Sequence, residues 1–181
     1  SPYTQQYITD NLAPFANGAN VNSLVGEAKN ISDALADAAI GYIDDVADDG
    51  PFYLQFNQFA VHTPIGNQHA RPDLLSKYNA LGDTDPSQIG DTNESYAAIL
   101  EGMDQSIARL IHHLETTEDP QNAGQVLSDN TIVVFMSDNG GKESQANNGP
   151  LRGEKGELWE GGIRVPMIAW STNPDLVAGG T

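Results

Sequence analysis

Residues 131–170 read TIVVFMSDNGGKESQANNGPLRGEKGELWEGGIRVPMIAW: an apolar run, an acid beside an amide, a glycine-rich loop around a lysine, and a second apolar run. Residues 131–136 are short, apolar and β-branched, and are bounded by Asn130 and Ser137, which predicts a buried central strand. Residues 165–170 predict another, with Pro166 near its start, where a missing donor is tolerated. In open α/β sheets ligands bind in the crevice beyond the strand ends. Asp138 and Asn139 follow such an end and set a carboxylate beside an amide oxygen, a pair suited to a hard cation such as Ca²⁺. Asn-Gly and Gly-Gly are also ordinary turn dipeptides, so the pair by itself also reads as a turn. Lys155 lies between Gly153-Glu154 and Gly156, where the backbone can approach a ligand closely.

Working outward, residues 94–114 show the clearest helical periodicity, with Tyr96, Ile99, Leu100, Met103, Ile107, Leu110, Ile111 and Leu114 on one face, predicted to dock on the sheet. Residues 32–46 form a second amphipathic helix with Ser32 as N-cap. Asp44, Asp45, Asp48 and Asp49 read as its solvated end, not as a metal site. Residues 52–60 are dense in aromatics after Gly50-Pro51 and predict a buried strand, which Val61-His62-Thr63-Pro64 ends. His62 is thus held extended at a strand end, a place that suits a structural hydrogen bonder or a proton donor. Residues 63–93 read as one long connection, His112 and His113 as surface residues. Strands alternating with helices argue for an α/β layered sheet in a single domain over residues 1–181.

Lys plus Arg number 8 against 25 Asp plus Glu, a formal net charge of −17. Such a surface repels nucleic acid and anionic membranes, and an anionic substrate needs local positive charge. The absence of cysteine removes disulfides, thiolate metal sites and a cysteine nucleophile. No apolar run reaches membrane-spanning length, and SPYTQQ at the N-terminus has neither the basic start nor the apolar centre of a signal peptide.

Several segments, in order, resemble the arylsulfatase-type sulfatases: Tyr7-Ile-Thr-Asp10, Phe52-Tyr-Leu-Gln-Phe56, Phe59-Ala-Val-His-Thr-Pro64, Tyr96-Ala-Ala-Ile-Leu-Glu-Gly-Met-Asp104, Ser137-Asp-Asn-Gly-Gly141, Pro150-Leu-Arg-Gly-Glu-Lys-Gly156 and Glu160-Gly-Gly-Ile-Arg-Val-Pro166. The resemblance implies an alkaline-phosphatase-like α/β fold with a mostly parallel sheet flanked by helices. It implies Ca²⁺ or another divalent cation on Asp138 and Asn139, and sulfate-ester chemistry at Lys155 and His62. It also implies an aryl sulfate or sulfated carbohydrate as substrate, and a periplasmic or secreted location.

The family's nucleophile is a formylglycine made from a Cys/Ser-x-Pro-x-Arg motif, which is absent here. None of Arg71, Arg109, Arg152 or Arg164 has a proline two residues before it. The paired aspartates of the family's N-terminal strand are also missing. The chain therefore reads as the middle and C-terminal part of a sulfatase catalytic domain, inactive alone. The alternatives are a phosphonate monoester hydrolase or phosphodiesterase of the same superfamily, and a binding module that has lost its nucleophile.

Overall fold

The computed structural model describes residues 1–81 and 93–178. Three helices carry most of the packing: α2 (Ile31–Val46), α3 (Pro72–Leu81) and α4 (Glu94–Thr116). They follow a short N-terminal turn, α1 (Gln5–Tyr7), and precede strand β1 (Val133–Met136), a four-residue helix α5 (Glu160–Ile163) and strand β2 (Met167–Trp170). Side-chain oxygens cap the longer helices. Asn30 accepts from Ser32 N–H at 3.0 Å, so the N-cap of α2 is Asn30 and not Ser32, and Asn93 accepts from Tyr96 N–H at 3.0 Å at the start of α4.

Helix α4 packs against both α2 and α3. Its buried positions are Ser95, Ala98, Glu101, Gly102, Gln105, Ser106, Arg109, Leu110 and Leu114, so the surface it turns inward is mostly small and polar. The predicted apolar face docks only in part: Leu110 and Leu114 join Ile43, Leu127 and Val133 in one core, whereas Leu100 is exposed. Ion pairing explains the offset. Arg71, 1% exposed, donates to both Asp73 oxygens at 2.8 and 3.0 Å and to Gln105 at 2.6 Å, and lies 3.4 Å from Asp33. Arg109 reaches Asp37 at 2.5 Å and Asp33 at 3.5 Å, and the Tyr3 hydroxyl donates to Asp33 at 2.5 Å. Charges taken out of water hold their place only when paired, and these pairs set the packing of α2, α3 and α4.

β1 and β2 are antiparallel, with Val133 opposite Trp170 and Met136 opposite Met167. The sequence predicts buried strands here, but Val134, Phe135, Met136, Met167 and Ile168 are exposed. Burying a strand takes neighbours on both edges and cover on both faces, and among the described residues each strand has one neighbour. The same reason corrects the strand expected at 52–60. That segment alternates exposed and half-buried residues with period two, and Phe52, Leu54 and Phe56 pack on the α2/α4 core, yet it pairs with no strand among the described residues. The connection expected at 63–93 contains α3, which starts at Pro72, where a missing N–H costs nothing. Residues 82–92 lie outside the described residues.

Candidate functional site

Beyond β1 the chain enters a loop whose turns are cinched by glycines. A Cβ on Gly140 would lie 1.8 Å from the Gly161 carbonyl oxygen, and one on Gly161 would lie 1.8 Å from that of Gly153. Only glycine permits backbones this close. Hydrogen bonds fasten the contact: Gly140 N–H donates to Gly162 O at 3.0 Å, and Gly161 N–H to Arg152 O at 2.7 Å. Asn148 acts as a clamp, accepting from Gly141 N–H at 3.0 Å and donating to the carbonyls of Gly141 and Gly153 at 2.9 and 3.0 Å. Lys155 N–H also donates to Gly141 O at 3.0 Å. The loop that carries Lys155 is therefore bound directly to the turn after Asp138 and Asn139.

At that turn the Asn139 amide nitrogen donates to Gly140 O at 2.9 Å, which leaves its Oδ1 without a protein donor. Among the described residues the Asp138 carboxylate accepts no hydrogen bond. Two adjacent oxygens free of protein donors fit a hard cation. Two ligands fall short of the six to eight oxygens Ca²⁺ takes. Among the described residues no group of three or more His, Cys, Asp or Glu side chains converges on a metal position, so further ligands would have to come from elsewhere.

The cations are distributed unevenly. Lys29, Arg71, Lys77, Arg109, Lys142 and Arg164 all have carboxylate partners. Arg152 and Lys155, both in the glycine loop, have none among the described residues. Arg152 instead lies over the Trp159 ring, 3.6 Å from its centroid. Glu154, the immediate neighbour of Lys155, is taken up by Lys142 and by Glu143 N–H at 2.7 Å, and hydrogen bonds from these two hold its carboxyl below the usual range.

His62 is exposed at the end of the extended segment, bracketed by cis peptide bonds at Ala60–Val61 and Thr63–Pro64. Its Nδ1 lies 2.7 Å from Thr63 O. A carbonyl oxygen only accepts, so Nδ1 carries a proton and Nε2 is the nitrogen left for other chemistry. The start of α4 links this region to the glycine loop. Ser95, buried, donates to Asn67 Oδ1 at 2.6 Å, and Asn93 donates to Gln145 at 3.4 Å. The turn after His62 and the loop before Lys155 thus meet at one helix end.

The family model described as Sulfatase matches residues 1–174. This chain belongs to the sulfatase family. The sulfatase chain is 41% identical over 168 residues to a protein named Sulfatase from Formosa agariphila, covering 92% of this chain and 29% of that protein. It is 34% identical over 143 residues to the uncharacterized sulfatase YdeN of Escherichia coli, covering 77% of this chain and 22% of that protein. Human N-acetylgalactosamine-6-sulfatase is 30% identical over 155 residues, covering 83% of this chain and 25% of that protein. The solved structure titled "Crystal structure of Ps i-CgsB" superposes with a TM-score of 0.63 at 32% identity, covering 82% of this chain and 30% of that one. The alkaline-phosphatase-like fold is that of the family, and this sulfatase chain spans less than a third of the length of these relatives.

Sequence reasoning did not single out Asn148, Ser95 or Asn67 in this sulfatase. Each is a short polar residue near a glycine, a proline or a helix start, indistinguishable in sequence from a turn or cap residue. Their role lies in contacts across 5 to 28 positions of chain. The acidic run at the end of α2 holds no metal cluster among the described residues, but it is not simply solvated, since Asp44 lies 2.8 Å from His113 Nε2.

Proposed function

We propose that these residues supply part of the active site of a divalent-cation-dependent sulfuric ester hydrolase, with Lys155 and His62 acting on the leaving oxygen and Asp138 and Asn139 contributing to a Ca²⁺ site. The observation that carries this reading is the pair of cations without acidic partners, Lys155 and Arg152, held in a glycine-cinched loop of a chain whose net charge is −17. In such a chain an anionic ester is attracted only where cations have not been neutralised.

Cleaving the S–O bond of a sulfate ester leaves negative charge on the departing oxygen. The Lys155 ammonium stabilises that charge and can deliver a proton to it. His62, with Nδ1–H engaged by Thr63 O, has Nε2 available to donate to the same oxygen when the ring is protonated. Ca²⁺ on Asp138 and Asn139 would add positive charge against the sulfate oxygens. The nucleophile expected from the family, a formylglycine, has no Cys/Ser-x-Pro-x-Arg motif among these 181 residues, so alone they should turn over no ester. By the same resemblance the working protein is periplasmic or secreted, and these residues form one domain with the rest of the catalytic unit.

The test is the complete polypeptide assayed on 4-nitrophenyl sulfate and on a 4-nitrophenyl phosphonate ester. Faster sulfate turnover, lost with a chelator and regained with Ca²⁺, is the expected result. Faster phosphonate turnover would assign the site to a phosphonate hydrolase, and no turnover of either would leave a binding module.

A further inference from the structure

A cavity of about 460 Å³ opens beside His62, within the range of small-molecule sites. Phe59 lines one part of it, 54% exposed and edge-on to the His62 ring at 5.9 Å between centroids. The turn Asn67–His69 lines another. This turn is pinned at both ends: Ser95 holds the Asn67 side chain at 2.6 Å, and Asn30 holds the His69 carbonyl at 3.2 Å. Its polar groups are only partly used. Gln68 Nε2 lies 3.2 Å from His69 Nε2, while Asn67 Nδ2, Gln68 Oε1 and His69 Nδ1 have no protein partner among the described residues. A donor, an acceptor and an imidazole nitrogen are therefore presented on a fixed turn, near an exposed aromatic ring.

The cavity carries little net charge. Glu27 lines it, and Lys29, its one lysine, is taken by Asp37 at 2.5 Å and lies over the Tyr7 ring at 3.7 Å. A second sulfate or carboxylate would find no free lysine or arginine here. A bare aryl group would strip water from the amides without replacing their hydrogen bonds, which costs free energy. A neutral polyhydroxylated ring meets both demands, its hydroxyls on Asn67, Gln68 and His69 and a C–H face on Phe59.

We propose that this cavity is the leaving-group subsite and that it takes the sugar ring of a sulfated carbohydrate, with Gln68, His69 and Phe59 setting the preference for sugar over aryl esters. The assignment rests on the sulfatase reading, because His62 at its mouth is the residue placed beside the departing oxygen.

The test compares the complete protein and its Gln68→Ala and Phe59→Ala variants on 4-nitrophenyl sulfate and on 6-sulfated galactose, glucose and N-acetylgalactosamine. The proposal requires wild-type kcat/KM to be higher on at least one sugar sulfate than on the aryl sulfate. It also requires each variant to lose about tenfold more on that sugar than on the aryl ester, chiefly through KM, the size expected for a lost hydrogen bond or ring contact. Equal losses on both classes, no losses, or a wild-type preference for the aryl ester would overturn it. If the protein cleaves no sulfate ester the sulfatase reading fails, and saturation-transfer NMR with the three unsulfated sugars then judges the cavity. Binding that Gln68→Ala abolishes supports the subsite, and absence of binding removes it.

Discussion

Glu154 gives its carboxylate to Lys142 and not to Lys155, the lysine adjacent to it in the chain. Two glutamates flank that lysine in sequence, Glu154 and Glu157, and the second is also engaged, accepting from Glu154 N–H at 3.1 Å. An ammonium in an acidic protein is thereby kept available for an anionic ligand.

Lys155→Ala in the complete enzyme should lower kcat by roughly 10² to 10⁴, the range of a general acid. Lys142→Ala releases Glu154 to compete for Lys155 and should cause a smaller loss, which the double variant Lys142→Ala/Glu154→Gln recovers. Steady-state kinetics on one sulfate ester reads both effects. An unchanged rate in Lys155→Ala would remove that residue from the chemistry.

Gly161→Ala should abolish activity and lower the melting temperature, because its Cβ would meet the Gly153 carbonyl oxygen at 1.8 Å. Overpacking of this kind costs about 1–3 kcal/mol or more. Gly156→Ala faces open space and carries only the strain of φ 94°, about 1–2 kcal/mol, so thermal melts should rank it milder. Equal melting temperatures for the two variants would contradict the close packing of the loop.

Asp33→Ala leaves Arg71 and Arg109 without a shared buried partner. Removing one member of a buried ionic group costs about 3–5 kcal/mol, measurable by denaturant unfolding of the complete protein. A loss below about 1 kcal/mol would show that water reaches the network, since exposed pairs contribute that little.

Acid should weaken the same junction through Asp37. Burial pushes its carboxyl upward, but hydrogen bonds from Lys29, Arg109 and Tyr7 outweigh this and hold it below its ordinary value of 3.8. A carboxyl depressed in the folded state binds protons more readily when unfolded. Its stabilisation is therefore complete above the ordinary carboxylate range and lost as pH falls through the folded value. Melting temperature should drop below about pH 4, and Asp37→Asn should flatten that drop. An acid limb of the same steepness in the variant would assign the effect to other carboxylates.

Chelation should lower both activity and melting temperature of the complete protein, since a ligand bound to the folded state stabilises it by mass action. Asp138→Asn should raise the Ca²⁺ concentration needed for half-recovery. Calorimetric titration checks this directly, and an affinity equal to wild type would take Asp138 out of the cation site.

Local chemistry was enough to mark several features of this protein. The periodicity of residues 94–114, the apolar runs at 131–136 and 165–170, the acid-amide pair 138–139 and the glycines around Lys155 declare themselves because each depends on neighbours within a turn or two of chain. Tertiary structure decided the rest. Which face of α4 turns inward follows from Asp33, Arg71 and Arg109, brought together from positions 38 and 76 residues apart. That Lys155 is the lysine left without a carboxylate follows from Lys142 reaching across the loop, and that Asn67 and Gln145 meet at one helix end follows from α4 passing both. Contacts between distant residues leave no period in a sequence, because their energy depends on where the backbone carries each side chain and not on the residues beside it.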